Sequence, residues 1–420
     1  MGLKGAAGSK PCIVCRNVVQ FVDADSMAGS RYVGIDVVNR TLLEYQSNND
    51  IYQIADRLQH TSTHRTRTQL EHEEKAFGIS YIPGGLLFDN HIRGLLHPVD
   101  HYIRDPQHVL LSGGVAGTHM ARLLATLGTE IRRQLQAYVA CFQMPKAAGK
   151  NPSSLLDDKR VEDDHMRCFA GELLDLAPLV MAFLEDALVP KNLFPDHTHC
   201  FSLLVRILQI CTSGPRRAAS NVDELQRTID NHHEMYKRLY PEWIKPKWHQ
   251  MLHIPEDVKD LGLMLSCFVT ERKHRSIKRA AVWTFRHYDH TLISDIVYRE
   301  LENLRSEAAI FHKQYLISPV ATHGMETSTR ASFVFGDAHR GDLIACRGRV
   351  IIEVDRMWQQ SQSIVVQGRP LIATDKATHW RRAMSGVAFV PAADLVGVLK
   401  WAQQGDRLRV ILPPHGLGFD

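Results

Sequence analysis

The segment Lys245-Pro-Lys-Trp-His249, followed by His253 and then by Glu271-Arg-Lys-His-Arg-Ser-Ile-Lys-Arg279, decides how the rest of the chain is interpreted. Six lysine and arginine residues lie between Glu271 and Arg286, where Glu271 is the only acid. An acid among cations can hold a divalent metal ion while its neighbours neutralise phosphates. The alternative is a solvated, charged helix in which Glu271 pairs with a nearby arginine. On a helix, four of these residues would share one face because of their i, i+3, i+4 and i+7 spacing: Glu271, His274, Arg275 and Lys278.

A second acid, Asp105, stands in Arg104-Asp-Pro-Gln-His108, just before an apolar helical segment. An acid between a short extended run and the start of a helix is well placed to bind a metal ion. The alternative is a capping aspartate, because Pro106 would then occupy the first helical position, where proline is favoured. By pattern alone the cap is the simpler interpretation, since it explains both residues.

The chain changes character along its length. Residues 105–317 carry apolar side chains at the three- and four-residue spacing of helices. From Ser332 onward, short runs rich in β-branched residues alternate with turns, for example Val350-Ile-Ile-Glu-Val354 and Arg407-Leu-Arg-Val-Ile-Leu412. Such closely spaced runs predict a small barrel or sandwich. A helical part followed by a β part predicts separate domains.

Composition and simple motifs exclude several classes of protein. The 420 residues are 44% hydrophobic and 23% charged, as is usual for a globular protein, and the net charge of +4 mildly favours acidic partners. The sequence has no run of about 18 apolar residues, so we expect no membrane span, and its start lacks the apolar core of a secretory signal. The scattered cysteines predict a reducing compartment, the nucleus or the cytoplasm, and no secretion. Hydrolase, phosphate-loop and dinucleotide fingerprints are absent from the sequence.

The pair in Cys12-Ile-Val-Cys15 is half of a zinc site, because zinc normally has four ligands and the sequence has no second Cys-x-x-Cys. His60 and His64 are four residues apart in a predicted helix, so both could reach one ion and complete a Cys₂His₂ set. The alternative is a tight turn with two reduced cysteines, together with surface histidines. His249 and His253 have the same spacing, and they either line an active cleft or pack in the core.

Three parts of the chain resemble the CACTA-like (En/Spm-type) DDE transposases of eukaryotes. Gly5-Ala-Ala-Gly-Ser-Lys-Pro-Cys-Ile-Val-Cys15 resembles the segment after their first catalytic strand. Asp105-Pro-Gln-His108 with Gly113-Gly-Val115 resembles their second-acid motif, usually Asp-Trp-Met-His followed by Gly-Gly/Val. The segment from Lys245 through Glu271-Arg-Lys-His274 resembles the one that holds their third acid. The resemblance covers residues 5–285.

The resemblance implies a fold of the α/β plus α class, with an incomplete RNase H-like core interrupted by a large helical insertion. Four segments follow from it: residues 1–114, the partial RNase H-like part with the cysteine pair; 115–265, the helical insertion; 266–318, the catalytic-type helix and helical closure of the core; and 330–413, a small all-β barrel or sandwich.

The resemblance also implies a chemistry. In such enzymes three acids bind two Mg²⁺ or Mn²⁺ ions, which promote phosphoryl transfer during DNA cleavage and strand transfer. It makes Asp105 and Glu271 the catalytic metal ligands of this chain. Around them it implies a DNA-binding set: Lys245, Lys247, His249, His253, Arg272, Lys273, His274, Arg275, Lys278 and Arg279.

The first catalytic aspartate of the family would lie upstream of the Gly5 segment, and it has no counterpart in this sequence. We therefore expect a transposase-derived protein that binds DNA but lacks independent cleavage or strand-transfer activity. The alternative is a non-catalytic DNA-binding or scaffold protein built from such a domain, and either could be a homo-oligomer. A plain helical interaction protein with a solvated basic helix is the third hypothesis.

Overall fold

The computed structural model describes residues 2–20, 32–145, 150–162, 164–265, 314–322, 325–333, 336–360, 363–374 and 378–412. The chain divides into two compact units. Unit 1 comprises Met1–Gly128, Asp158–Ala177 and Ala187–Ser266. Unit 2 comprises Thr129–Asp157, Pro178–Asp186 and Cys267–Asp420. Among the described residues, no helix combines the length and the apolar character that crossing a membrane requires.

Helices dominate the described part of the chain before residue 266, which confirms the expected helical region. They are α1 (Asn48–His64), α2 (Arg67–Phe77), α3 (Val115–Ala140), α4 (Ala170–Phe183), α5 (Pro195–Thr212), α6 (Pro215–Ser220), α7 (Val222–Leu239), α8 (Pro246–Leu252) and α9 (Ile254–Leu261). Within α3 the backbone leaves the helical conformation at Gly128, so the helix is kinked there.

Local sequence signals fix the ends of α1 and α2. Ser47 precedes α1 and forms a reciprocal capping box with Asp50, and Thr66 does the same with Gln69 before α2. Gly78 ends α2 in the left-handed conformation, with φ +73°, that favours glycine at this position. These caps define a helical pair that supports the N-terminal segment.

The N-terminal segment runs along the end of α2. The Lys4 amide donates to the carbonyl of Gly78 (2.9 Å), and the Ser9 amide donates to the carbonyl of Lys75 (2.8 Å). The two segments approach each other so closely that a Cβ atom at Gly78 would lie 2.1 Å from the carbonyl oxygen of Lys10. Glycine at this position therefore sets the path of the chain into the cysteine pair.

The interior of unit 1 is apolar and aromatic. Phe201 on α5, Tyr236 on α7 and Trp248 on α8 are completely buried. Extended pairing in the described part of this unit is limited to two-residue parallel strands, β1 (Val18–Val19) and β2 (Val33–Gly34), and to isolated bridges. The central sheet of an RNase H-like core is not among these residues, so that core stays a prediction.

The β domain expected over residues 330–413 is present within unit 2, and its strands begin earlier, at Tyr315. Together with β3 (Phe142–Gln143), its strands are β4 (Tyr315–Leu316), β5 (Val320–Thr322), β6 (Met325–Ser328), β7 (Arg330–Phe333), β8 (Gly336–His339), β9 (Leu343–Cys346), β10 (Val350–Gln360), β11 (Ser363–Ala373), β12 (His379–Arg382), β13 (Ala388–Pro391), β14 (Leu395–Gln404) and β15 (Arg407–Ile411).

Six of these strands close on themselves in the order β11-β12-β15-β14-β9-β10, because β10 also pairs with β11. Strands β10 and β11 are each eleven residues long. The register between them shifts at Val354 and Arg356, where a bulge bends the sheet. A core that includes the buried side chains of Leu343, Trp380 and Leu408 fills one part of this barrel. The prediction of a small closed or sandwiched β domain is confirmed.

We expect Gly78→Ala to destabilise unit 1 by about 3 kcal/mol, because strain in the left-handed backbone adds to a collision with Lys10. Gly84→Ala is the matched control: φ at Gly84 is +70°, but no atom lies within 4 Å of an added Cβ. It should cost only about 1 kcal/mol. Urea denaturation followed by circular dichroism measures both, and equal losses would show that the contact with Lys10 is unimportant.

Candidate metal centre

Four side chains from two distant parts of the sequence meet inside unit 1. They belong to Cys12, Cys15, His249 and His253. One sulfur or ring-nitrogen atom from each lies within 4.8 Å of the other three. Cys12 is 5% exposed and the other three are 0% exposed. Two thiols and two imidazoles are a donor set that tetrahedral zinc prefers.

The two cysteines lie in the loop before β1. Backbone hydrogen bonds join this loop to the segment that precedes α1. The Arg16 amide donates to the carbonyl of Glu44 (2.7 Å), and the Gln46 amide donates to the carbonyl of Val14 (2.9 Å). These bonds lie on both sides of Cys15, so the loop backbone is fixed where it presents its thiols.

The two histidines lie one helical turn apart. His249 is in α8, and His253 follows the last residue of that helix, so the spacing of four residues directs both rings to one side. The neighbouring side chains of Trp248, Met251 and Leu252 are completely buried. Packing of this apolar face holds the histidine pair in the interior.

The three distances from His253 to the other ligand atoms are close to the edges of a coordination tetrahedron. The His253 Nε2 atom lies 3.7 Å from the Cys12 sulfur, 3.3 Å from the Cys15 sulfur and 3.1 Å from Nε2 of His249. Zinc with bonds of about 2.3 Å to sulfur and about 2.0 Å to nitrogen gives tetrahedral edges of about 3.3–3.8 Å. The cluster is therefore close to the size that a bound zinc ion needs.

A carboxylate behind the cluster orients one ligand. The Nδ1 atom of His253 lies 2.6 Å from the Glu256 carboxylate, which leaves Nε2 for the cluster. Glu256 also accepts hydrogen bonds from Arg40 (2.8 Å) and Tyr45 (3.1 Å). Burial disfavours the ionised acid, but the hydrogen bond with His253 and the charge of Arg40 outweigh it and lower the pKa of Glu256 to about 2. The carboxylate is thus ionised at neutral pH and available to polarise the imidazole.

The two thiols of the cluster differ in acidity because they are hydrogen-bonded to each other. Hydrogen bonding from Cys15, and then from the two histidines, holds the pKa of Cys12 well below its ordinary value despite burial. The same contact, together with burial, raises the pKa of Cys15. Burial lowers the pKa of His249, which keeps that ring neutral and its lone pair available. Cys12 is therefore the more acidic of the two thiols and the one that gives up its proton more readily to an entering cation.

The structure corrects the expected set of zinc ligands. His60 and His64 are both exposed on α1, where their rings stack with centroids 4.1 Å apart, and Nδ1 of His64 lies 2.9 Å from the carbonyl oxygen of His60. Neither belongs to the cluster, because their polar side of α1 faces solvent. The cysteine pair belongs to a cluster that could hold a metal ion, and the histidines that join it are His249 and His253 instead of His60 and His64.

A sequence signal for the correct pair existed. Both pairs have the same four-residue spacing, but Trp248, Met251 and Leu252 surround His249, whereas polar Gln59 and Thr61 flank His60. Ligands of a structural zinc ion lie in buried surroundings, so the apolar context favours the second pair.

Asp105 adopts the capping arrangement. Its carboxylate accepts hydrogen bonds from the backbone amide of His108 (3.1 Å) and lies 2.6 Å from the Nδ1 atom of that ring. The preceding residue, Arg104, binds Asp257 of α9 through its backbone amide (2.9 Å) and its guanidinium (2.5 Å). This buried ion pair joins the Asp105 segment to the helix that follows the histidine ligands.

The proposed DNA-contacting residues of the same segment have internal partners. Lys245 pairs with Asp164 (2.7 Å), and the ammonium of Lys247 donates to the carbonyls of His108 (2.7 Å) and Ser112 (2.8 Å). His249 and His253 are completely buried in the cluster. This corrects the expectation that the two histidines contact DNA, since they have no surface to offer it.

The remaining predicted site residues lie outside the described residues: Glu271, Arg272, Lys273, His274, Arg275, Lys278 and Arg279. The convergence of Asp105 with Glu271 around a hard cation therefore stays a prediction.

Comparisons with protein-family models, with curated proteins and with solved structures find no match for this chain.

We expect Glu256→Gln to weaken metal binding by about 10- to 100-fold, because the amide no longer fixes and polarises His253 as the carboxylate does. Glu234→Gln is the control, since Glu234 is exposed on α7. Competition with a chromogenic zinc chelator measures both affinities. Equal affinities in the two variants would mean that Glu256 has no part in the centre.

Proposed function

We propose that Cys12, Cys15, His249 and His253 bind one structural zinc ion. The observation that carries this proposal is the burial of a closed set of four ligand atoms. Catalytic zinc keeps one position open for water or substrate, whereas structural zinc is enclosed by four protein ligands. A buried Cys₂His₂ set therefore supports a structural role.

Charge and ligand softness support zinc over other ions. Two thiolates carry two negative charges, which Zn²⁺ balances, so the buried centre is neutral and avoids the cost of an uncompensated charge. Mg²⁺ and Mn²⁺ prefer oxygen donors, and this cluster offers sulfur and nitrogen. Mg²⁺ and Mn²⁺, the ions that the transposase resemblance implies, are therefore not expected to bind at this site.

The zinc ion would act as a cross-link in the fold. Cys15 and His253 are 238 residues apart, and the ion joins the N-terminal loop to the junction of α8 and α9. The binding free energy of such a metal contributes directly to folding when the unfolded chain holds no preformed site.

We further propose that the protein is a transposase-derived DNA-binding protein. The support is that the described segments carrying the resemblance to CACTA-like enzymes lie together. The cysteine segment and the histidine segment supply the four cluster residues, and Lys247 of α8 joins the segment of Asp105-Pro-Gln-His108. Segments that distant relatives share are expected around a common functional core.

In this proposal Asp105 and Glu271 descend from ligands of Mg²⁺ or Mn²⁺ in a phosphoryl-transfer site. DNA affinity is retained through the basic stretch from Arg272 to Arg279. A non-catalytic scaffold without DNA affinity is the competing function, and the DNA-binding experiment below separates the two.

The double variant His249→Ala/His253→Ala should lose one zinc ion per chain, and its unit 1 should unfold at a lower temperature, because two of the four ligands are gone. The matched control is His60→Ala/His64→Ala, a pair with the same spacing on an exposed helix, which should keep its zinc. Elemental analysis of the purified chains gives the metal content, and calorimetry gives the unfolding temperature. Loss of zinc in the control, with retention in the first variant, would restore the ligand set expected from the sequence.

Purified protein should bind duplex DNA with an affinity that falls steeply with salt. Five cations between Arg272 and Arg279 predict a slope of about −4.5 in a plot of log affinity against log salt concentration. Lys278→Glu/Arg279→Glu should make that slope shallower by about two, whereas Arg216→Glu/Arg217→Glu, the same charge change on α6, should leave it unchanged. Fluorescence anisotropy with a labelled duplex measures both.

Absence of salt-dependent binding in the wild-type chain would refute the DNA-binding proposal and favour the scaffold. Incubation of DNA with the protein and Mn²⁺ tests for cleavage separately. Efficient nicking that disappears in Glu271→Gln would show that the catalytic site is intact.

A further inference from the structure

A second cluster of metal-binding side chains lies in unit 1 and shares no residue with the first. It consists of His119 on α3, Cys200 on α5 and His232 on α7, with one ligand atom of each within 4.8 Å of the others. All three side chains are completely buried. Three helices thus bring together one thiol and two imidazoles in a place that solvent does not reach.

We propose that His119, Cys200 and His232 form a second metal site, which binds a thiophilic ion, Cu⁺ or Zn²⁺, through one thiolate and two imidazoles. The proposal is independent of the zinc centre at Cys12.

Hydrogen bonding alone leaves this cluster poorly satisfied. The Nδ1 atom of His119 lies 3.0 Å from Nε2 of His232, so the two rings share a single N–H···N contact. Within the described part of the chain, the other nitrogen of each ring, Nε2 of His119 and Nδ1 of His232, is buried without a hydrogen-bond partner. Each buried polar atom left in this way costs about 1–3 kcal/mol. These two nitrogens are on the outer sides of the rings, away from the shared contact, so each calls for a bound water or ion of its own.

The three side chains can take up a cation with simple proton balance. Each neutral imidazole offers a lone pair, and the Cys200 thiol becomes a ligand when it gives up its proton. Binding would form a metal–sulfur bond and release one proton to solvent, with no change in oxidation state.

The walls of the cluster are aromatic. The ring of His119 contacts Phe201 at 5.5 Å, Tyr236 at 5.0 Å and Tyr240 at 5.8 Å between centroids. In such low-dielectric surroundings, net charge is expensive. One thiolate with Cu⁺ is neutral, whereas with Zn²⁺ the site carries one positive charge. Thiolate ligands also select Cu⁺ among the first-row ions, so charge balance favours Cu⁺.

The experiment uses the full chain, reduced and stripped of metal, and counts bound ions by native mass spectrometry. Zn²⁺ alone and Cu⁺ alone are added to wild type and to Cys12→Ser/Cys15→Ser, in which the first centre is disabled. We expect the double variant to retain one ion in the Cu⁺ arm. Retention in the Zn²⁺ arm only supports the same site with zinc as its occupant. Binding of neither ion by this variant, while it remains folded, overturns the proposal.

Cys200→Ser tests the assignment to these residues. In the Cu⁺ arm of the same mass-spectrometric count, it should bind one ion fewer than wild type, because the only thiolate of the site is removed. Cys211→Ser, on the same helix but outside the cluster, should leave the count unchanged. His232→Gln provides a second variant if Cys200→Ser fails to fold. Equal ion counts in wild type and in either folded cluster variant would exclude the site. If the first centre binds no zinc, Cys200→Ser should still bind one ion fewer than wild type. The two proposals can therefore fail separately.

Discussion

Unit 1 depends on a buried contact between two segments that are far apart in sequence, the loop of Cys12 and Cys15 and the junction of α8 and α9. Chain entropy opposes the closure of so long a loop, although the opposing term grows only slowly with loop length. Four polar side chains removed from water add a desolvation cost unless something satisfies them. A single Zn²⁺ would bind all four side chains and offset their desolvation cost. A metal centre therefore explains why these two segments meet in the interior.

The surroundings of the cluster reinforce the same junction. Arg40 reaches across to Glu256 (2.8 Å) and Asp230 (3.0 Å), and Arg104 forms its buried pair with Asp257. Breaking a buried ion pair by removing one partner typically costs 3–5 kcal/mol, because the other charge stays behind unpaired. Glu256 thus orients the ligand His253, and its neighbour Asp257 holds the segment of Asp105 through Arg104. The helix α9 is consequently a common support for both parts of the site.

The β domain is held together differently, because the backbone hydrogen-bonding groups of its strands pair with those of neighbouring strands. Closure of the six-stranded ring removes the exposed edges that an open sheet of this size would present. At Gly368 on β11 an added Cβ would lie 2.5 Å from the carbonyl oxygen of Glu353 on β10, so the two strands approach too closely for a side chain. This contact lies where the register shifts, and it helps to bend the paired strands into the barrel.

Features that depend on neighbours along the chain could be predicted from the order of the residues. Apolar spacing predicted the helices, alternation and turns predicted the β domain, and Cys-x-x-Cys predicted half of a metal site, because these patterns reflect the geometry of a few consecutive residues. Which histidines complete the cluster depends on the packing of distant segments, since His60/His64 and His249/His253 have the same spacing and differ in burial. Packing also brings His119, Cys200 and His232 together, because each is a single residue on its own helix. A ligand set drawn from separate helices leaves no local pattern, because packing rather than spacing brings its members together.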